Sequence, residues 1–280
     1  MFIFKEVRAL QKFLQNQKGK IGLVPTMGAI HNGHLSLIKK SIKENKLTVC
    51  SIFVNPTQFD ETRDLAKYPR MEAEDAQKLM SIGCDVIFIP SVEEVYPGKS
   101  QKRQLKIDLA GIDKVLEGAY RKGHYEGVMQ VVNRFIVIVK PNNIYLGQKD
   151  YQQFLIVEKM IKALGHETQA VCCEIIREAD GLAMSSRNLR LPAAHRKIAV
   201  EISQNLKKVK SAYNKSAVTK IKEKCIADLS KNFKVDYFEI VDAKTLQPIV
   251  NWNDAKQIIA LTAARIGEIR LIDNMFITTN

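Results

Sequence analysis

Short apolar runs alternating with amphipathic helical stretches constrain this chain more than any other feature. The runs fall at 20–26, 47–54, 85–89, 143–146 and 168–173, and helical spacing covers about 5–17, 34–45, 71–82, 126–139 and 151–164. Asn55-Pro56 closes one run and introduces a polar loop, and Pro90 closes another. Strands alternating with helices predict an α/β fold, a parallel sheet covered on both faces. Ligands bind such sheets beyond the carboxyl ends of the strands. His31–His34, Asn55–Gln58 and Gly147–Asp150 all fall there. After about 175 the pattern changes to helices over 193–213 and 216–231, then strands over 234–242, 257–265 and 268–277. The expected division is a larger domain over 1–175 and a smaller α+β domain over 176–280.

Composition narrows the classes. With 280 residues, 46% of them hydrophobic, the chain can build one large core or two smaller ones. No apolar run approaches the roughly 20 residues that span a bilayer, and Met1–Arg8 lacks the layout of a signal peptide. The five cysteines are odd in number and form no Cys-x-x-Cys pair, as expected of reduced thiols in a cytoplasmic protein. The net charge of +13 invites a nucleic-acid reading. However, Glu201, Glu223 and Asp228 lie among the lysines of the 193–231 region, the spacing is helical and few aromatics interleave. A solvated helix face is the expected use of that charge, with no nucleic-acid and no membrane partner.

Three clusters carry possible chemistry. His31-Asn32-Gly33-His34 follows a strand and Gly28, and opens a helix. Helix starts attract phosphate, and residues three apart share a face. Two imidazoles there could meet an α-phosphate, although the four-residue match alone also arises by chance. Zinc is disfavoured because no cysteine or carboxylate nearby completes a ligand set. Gly147-Gln148-Lys149-Asp150 sits at a second strand-to-helix junction, where Lys149 is either a phosphate ligand or a surface lysine after a turn. Met184-Ser185-Ser186-Arg187 offers two hydroxyls and a guanidinium for phosphates, or else a capped turn. Asn55-Pro56-Thr57-Gln58 reads as an amide pocket for hydroxylated groups or as a strand-ending turn.

Taken in order, these segments resemble one family. Val24-Pro25-Thr26-Met27-Gly28-Ala29-Ile30-His31-Asn32-Gly33-His34, Ile52–Phe59, Tyr68-Pro69-Arg70, Gly123–Val128, Leu146–Gln153 and Arg177–Asn188 are similar to the motifs of the pantoate–β-alanine ligases (pantothenate synthetases). The resemblance is dense over 20–190 and thin beyond. Asn32 and Gln148 stand where the family usually has Glu, Lys122 where it has Pro, and Gln130 where it has Thr.

The resemblance implies a Rossmann-like nucleotidyltransferase domain, a smaller C-terminal lid domain and a homodimer. It also implies condensation of (R)-pantoate with β-alanine, at the expense of ATP, through a pantoyl adenylate. On that basis His31 and His34 would bind the α-phosphate, with His34 as the expected proton donor. Lys149 would bridge phosphates, and Met184, Ser185, Ser186 and Arg187 would hold the β,γ end. Gly28, Gly33, Gly147 and Gln148 would complete the ATP site, with adenine read by backbone near Pro25, Met27 and Ile176. Gln58 and Gln153 would grip pantoate, Asn55 would meet the second substrate, and Arg121 and His124 would close over the site. Mg²⁺ would ride on the phosphates near Asp75 or Asp150. Two rivals remain at this point: a nucleotidyltransferase of the same fold acting on a phosphate or mononucleotide, and a basic RNA-binding protein whose affinity falls steeply with salt.

Overall fold

A computed structural model describes residues 1–59, 65–98 and 105–278; the polar loop after Asn55-Pro56 lies partly outside them. Strands β1 (Phe2–Phe4), β2 (Ile21–Thr26), β3 (Leu47–Ile52), β4 (Val86–Phe88), β5 (Asn143–Gly147) and β6 (Gln169–Cys173) form one sheet in the order β1-β4-β3-β2-β5-β6. Every pairing in it is parallel. The longer helices described in this part are α1 (Val7–Gln15), α2 (Asn32–Glu44), α3 (Glu72–Ser81), α4 (His124–Val139) and α5 (Tyr151–Ala163).

Strand side chains alternate between two cores. Leu23, Val49, Val86, Phe88 and Ile144 pack with α1, α4 and α5. Val24, Cys50, Ile87 and Tyr145 face the other way, against Leu37 and Ile38 of α2 and Leu79 of α3. This double burial explains why the strands read as continuous apolar runs.

The strand order reverses between β2 and β5. These two strands pair only at Gly22–Asn143 and Leu23–Ile144, whereas β2 pairs with β3 as far as Thr26–Ile52. Pro25 therefore sits in a central strand at a point where no β5 ladder bond is formed. The carboxyl ends of β2 and β5 splay apart, opening a crevice at the topological switch point.

Further on, helices α6 (Glu201–Ala212) and α7 (Val218–Leu229) pack on an antiparallel sheet of β7 (Lys234–Asp242), β8 (Ile258–Ile266) and β9 (Ile269–Phe276). One face of this sheet, with Phe238, Ile240 and Ala260, meets the two helices. Val241, Ile259 and Leu261 on its other face join the apolar cluster of the large sheet. The lysines of α6 and α7 are largely outward, and Lys208 and Lys222 pair with Asp228 and Glu239 at 2.7 and 2.6 Å. No helix among the described residues is long and apolar enough to cross a membrane.

Candidate active site

The loop joining β2 to α2 is held from below. Asp75 of α3 is fully buried, and its two carboxylate oxygens accept from the Ala29 and Ile30 amides at 2.8 and 2.6 Å. Gly28 has φ +81, and a Cβ there would lie 2.9 Å from the same carboxylate. Lys78 donates to the Ile30 carbonyl at 2.9 Å. Asp75 thus holds the loop from beneath through the hydrogen bonds its two oxygens accept. Replacing Asp75 with alanine strands two buried donors and should cost roughly 2–4 kcal/mol. Urea unfolding checks this, with Asp75→Asn recovering part of the loss. Unaltered stability in Asp75→Ala would contradict the anchor role.

His31 caps α2. Its Nδ1 accepts the Gly33 amide at 3.1 Å, so the neutral ring carries its proton on Nε2. The His34 ring stacks on it, with centroids 3.9 Å apart and planes at 25°. Burial, aided by Lys149 and Lys78, lowers the His31 pKa to about 4. Burial, then His31 and Lys149, holds His34 well below the usual range. His34 Nδ1 is buried with no hydrogen-bond partner among the described residues. Both rings are therefore disposed to the neutral form, in which each can donate an N–H hydrogen bond to an anion.

Across the crevice, Asn55 Nδ2 donates to Gln58 Oε1 and to the Gly127 carbonyl, both at 3.1 Å. Its Oδ1 accepts from Thr57 Oγ1 at 3.1 Å and Tyr96 OH at 3.0 Å. A Cβ on Gly127 would come within 2.3 Å of the Thr57 carbonyl, so only glycine lets α4 approach this turn. Asn55 is buried and holds the Gln58 side chain. Gln58 Nε2 lies 2.9 Å from Met27 Sδ. Arg121 lies 3.0 Å from His124 Nε2. Arginine only donates, so His124 carries its proton on Nδ1 and gives it to the Gln58 carbonyl at 2.8 Å.

Burial and the Arg121 charge lower the His124 pKa to about 4. The sign follows directly. An unfolded imidazole takes a proton near 6.5, so between about pH 6.5 and 4 the unfolded chain binds more protons. The contribution of His31 and His124 to stability is present above that window and lost as pH falls through it. NMR titration should place both midpoints near 4; midpoints near 6.5 would contradict the burial argument.

The third arm of the site is Lys149, whose ammonium lies 3.8 Å from Asp150. Its backbone is gripped from β9. Asn274 Nδ2 donates to the Gln148 and Lys149 carbonyls at 2.8 and 3.0 Å, and Gln148 Nε2 donates back to Asn274 Oδ1 at 3.0 Å. Next to it, Asp273 takes Arg177 bidentately at 2.6 and 3.0 Å. Arg177 starts the turn that leads to Ser185–Arg187, pairing with Ala183 through an isolated bridge. Ser185 Oγ accepts the Arg187 amide at 3.3 Å, and Ser186 Oγ lies 3.2 Å from Tyr68 OH. Sequence reasoning assigned no role to Asp273, Asn274, Arg177 or Tyr68. The available signal was a pair of polar residues interrupting the apolar run of β9.

These arms enclose a cleft of about 210 Å³. Of the expected site residues, all but Gly28, Gln148 and Asp75 line it. Gly28 and Asp75 shape the loop beneath, and the Gln148 side chain turns to Asn274. Phe53, Val128, Val131, Val132 and Phe135 supply an apolar wall. The cleft thus combines neutral N–H donors, a lysine, two serines, an arginine and amides beside apolar surface, a set suited to a phosphate ester and a small hydroxylated acid.

A family model described as pantoate-beta-alanine ligase matches residues 2–276. A Bacteroides fragilis pantothenate synthetase is 43% identical over 274 residues, 97% of this chain and 96% of the relative. A Porphyromonas gingivalis pantothenate synthetase is 43% identical over 281 residues, 98% and 99% of the two chains. The solved pantothenate synthetase of Thermus thermophilus superimposes with a TM-score of 0.94 at 35% identity, covering 100% of both chains. The Francisella tularensis pantoate–β-alanine ligase, solved with β,γ-ATP and β-alanine, gives 0.84 at 35% identity over 100% of this chain and 99% of that one.

Proposed function

The chain belongs to the pantoate–β-alanine ligase family and uses ATP to join pantoate to β-alanine; we propose that it does so through a pantoyl adenylate formed between the two histidines and Lys149. The observation that carries this reading is the stacked neutral imidazole pair of α2, lining one cleft with Lys149, Ser185 and Arg187. A carboxylate does not acylate an amine in water without activation. One pantoate carboxylate oxygen attacks the α-phosphorus, and pyrophosphate leaves. The amine of β-alanine then attacks the acyl carbon, AMP leaves, and the extra amine proton passes to solvent.

Catalysis here is positioning plus charge stabilisation. His31 and His34 donate N–H bonds to the α-phosphate as its charge grows. Lys149 spans the phosphates, while Ser185, Ser186 and Arg187 hold the distal end. Gln58 and Gln153 bind the hydroxyl and carboxylate groups of (R)-pantoate, whose methyl groups meet the wall of Val131, Val132 and Phe135. Arg121 and His124 close over the site, and Asn55, beside Gln58, meets β-alanine. Backbone near Pro25, Met27 and Ile176 receives adenine. No group of three His, Cys, Asp or Glu that could hold a metal ion occurs among the described residues. Mg²⁺ therefore fits as a companion of the ATP phosphates, with Asp150 the carboxylate at hand. Residues 1–175 hold ATP and pantoate, 176–280 form the unit that covers the phosphates, and the working form is a cytoplasmic homodimer.

Hydroxylamine supplied instead of β-alanine tests the adenylate. Capture of pantoyl hydroxamate with release of AMP is expected. Amide synthesis that proceeds normally while no hydroxamate forms would count against a free acyl adenylate.

A further inference from the structure

Glu117 is a buried carboxylate that opens the short helix Glu117–Tyr120, and the chain runs on from there into Arg121 and His124. Arg270 of β9 grips it with two contacts, Nη1 to Oε2 and Nη2 to Oε1, both at 2.7 Å. Tyr237 OH of β7 donates to Oε1 at 3.0 Å. The Glu117 amide donates to Gln152 Oε1 at 3.1 Å, and Gln152 Nε2 donates to the Ile112 and Val115 carbonyls at 2.6 and 2.8 Å. Leu116, just before it, is buried with φ +49. A leucine keeps that backbone conformation only where its surroundings over-determine it.

The small sheet is irregular where it makes this contact. Val235 pairs with Ala264 and Tyr237 with Ala263, so Asp236 is an extra residue, a β-bulge. Neighbouring residues of β7 thereby serve one cluster: Asp236 holds Arg270 Nε at 2.7 Å, and Tyr237 reaches Glu117. Tyr120 OH donates to the Asp236 carbonyl. From Glu117 the contacts continue toward the cleft. Arg121 Nη1 lies 3.9 Å from Glu117 Oε2 and 3.0 Å from His124 Nε2. His124 Nδ1 donates to the Gln58 carbonyl at 2.8 Å. The backbone of Gln58 is thus tied through the 117–124 segment to β7 and β9.

We infer that Glu117 is a positioning residue for pantoate: gripped by Arg270 and Tyr237, it fixes the 117–124 segment so that His124 holds Gln58 where its amide meets the acid. A buried ion pair adds little stability over apolar packing of the same shape, because both charges lose water. What this pair supplies is a single arrangement of the segment it holds. The inference rests on the reading of Gln58 as a pantoate ligand.

The test measures KM for each substrate on the full-length enzyme, together with the NMR signal of the His124 Nδ1 proton, which its bond to Gln58 protects from exchange. Glu117→Gln keeps the shape and removes the charge. It should raise the KM for pantoate about tenfold, leave the KM for ATP unchanged and abolish the protected His124 signal. Tyr237→Phe removes one hydrogen bond and keeps the ion pair; it should raise the KM for pantoate about threefold, and it decides the matter if Glu117→Gln fails to fold. Lys208→Ala, which breaks the ion pair with Asp228 between α6 and α7, should change none of these readings. In a Gln58→Ala background Glu117→Gln should raise the KM for pantoate little further, since the two act through one contact. An unchanged KM for pantoate in folded Glu117→Gln, or a His124 signal still protected, overturns the inference. So does an equal rise in both KM values, or a fall in kcat alone, either of which gives Glu117 a general structural role. An unchanged KM for pantoate in Gln58→Ala overturns instead the reading beneath the inference, a result the Glu117 variants cannot produce.

Discussion

Replacing His34 with alanine should lower the rate of adenylate formation by about 10²–10³, or roughly 3–4 kcal/mol in the transition state, while leaving the protein folded. The ring lies in the first turn of α2, stacked at 3.9 Å on His31 and held neutral by its burial. A neutral N–H aimed at the α-phosphate does little for bound ATP and much for the extra charge of the five-coordinate phosphorus. Removing the ring also removes a buried Nδ1 that has no partner among the described residues, and it leaves Leu37 and Ile38 in the core. Alanine suits a helix, so thermal stability should hold. Single-turnover release of pyrophosphate in the absence of β-alanine reads the chemical step. His34→Asn, which keeps a neutral N–H, should retain more activity than His34→Ala if the ring acts by hydrogen bonding. Near wild-type turnover in His34→Ala would remove the residue from the mechanism.

Lys149→Ala should cost a similar factor, about 10²–10³. The ammonium is mostly enclosed and lines the cleft. Its position depends on a residue 125 places further along the chain, because Asn274 holds the Lys149 carbonyl at 3.0 Å. Asn274→Ala should therefore slow adenylate formation by itself, yet add little in a Lys149→Ala background, since groups acting through one another are not additive. Full additivity in that double-mutant cycle would assign Asn274 a general structural role. Unchanged single-turnover rates in Lys149→Ala would refute its place on the phosphates.

The large sheet was legible because its strands are buried on both faces and separated by helices of ordinary length. Strand β1 was not: Phe2–Phe4 is too short for any periodicity to show, and it pairs only with β4. The helix expected over 193–213 divides into Ala193–Ile198 and α6, and with no glycine or proline at the bend the break left no mark in the sequence. That His31–His34, Gly147–Asp150 and Met184–Arg187 lie together was legible because each sits just past a strand or turn with residues of distinctive chemistry. What supports them was not. Asp75 reads as a carboxylate near Mg²⁺, and its support of the loop shows only in its contacts with the Ala29 and Ile30 amides. Asn274 and Asp273 act across long separations that leave no mark in local spacing. The neutral state of the histidines is likewise set by burial, which spacing does not report.

The most direct measurement follows one oxygen. Pantoate labelled with ¹⁸O in its carboxylate is turned over with Mg-ATP and β-alanine, and the AMP is examined by mass spectrometry. If the carboxylate attacks the α-phosphorus between His31, His34 and Lys149, each AMP carries one labelled oxygen and the pyrophosphate carries none. Label found in pyrophosphate or inorganic phosphate, or released as water and absent from AMP, would contradict acyl adenylate formation at this site.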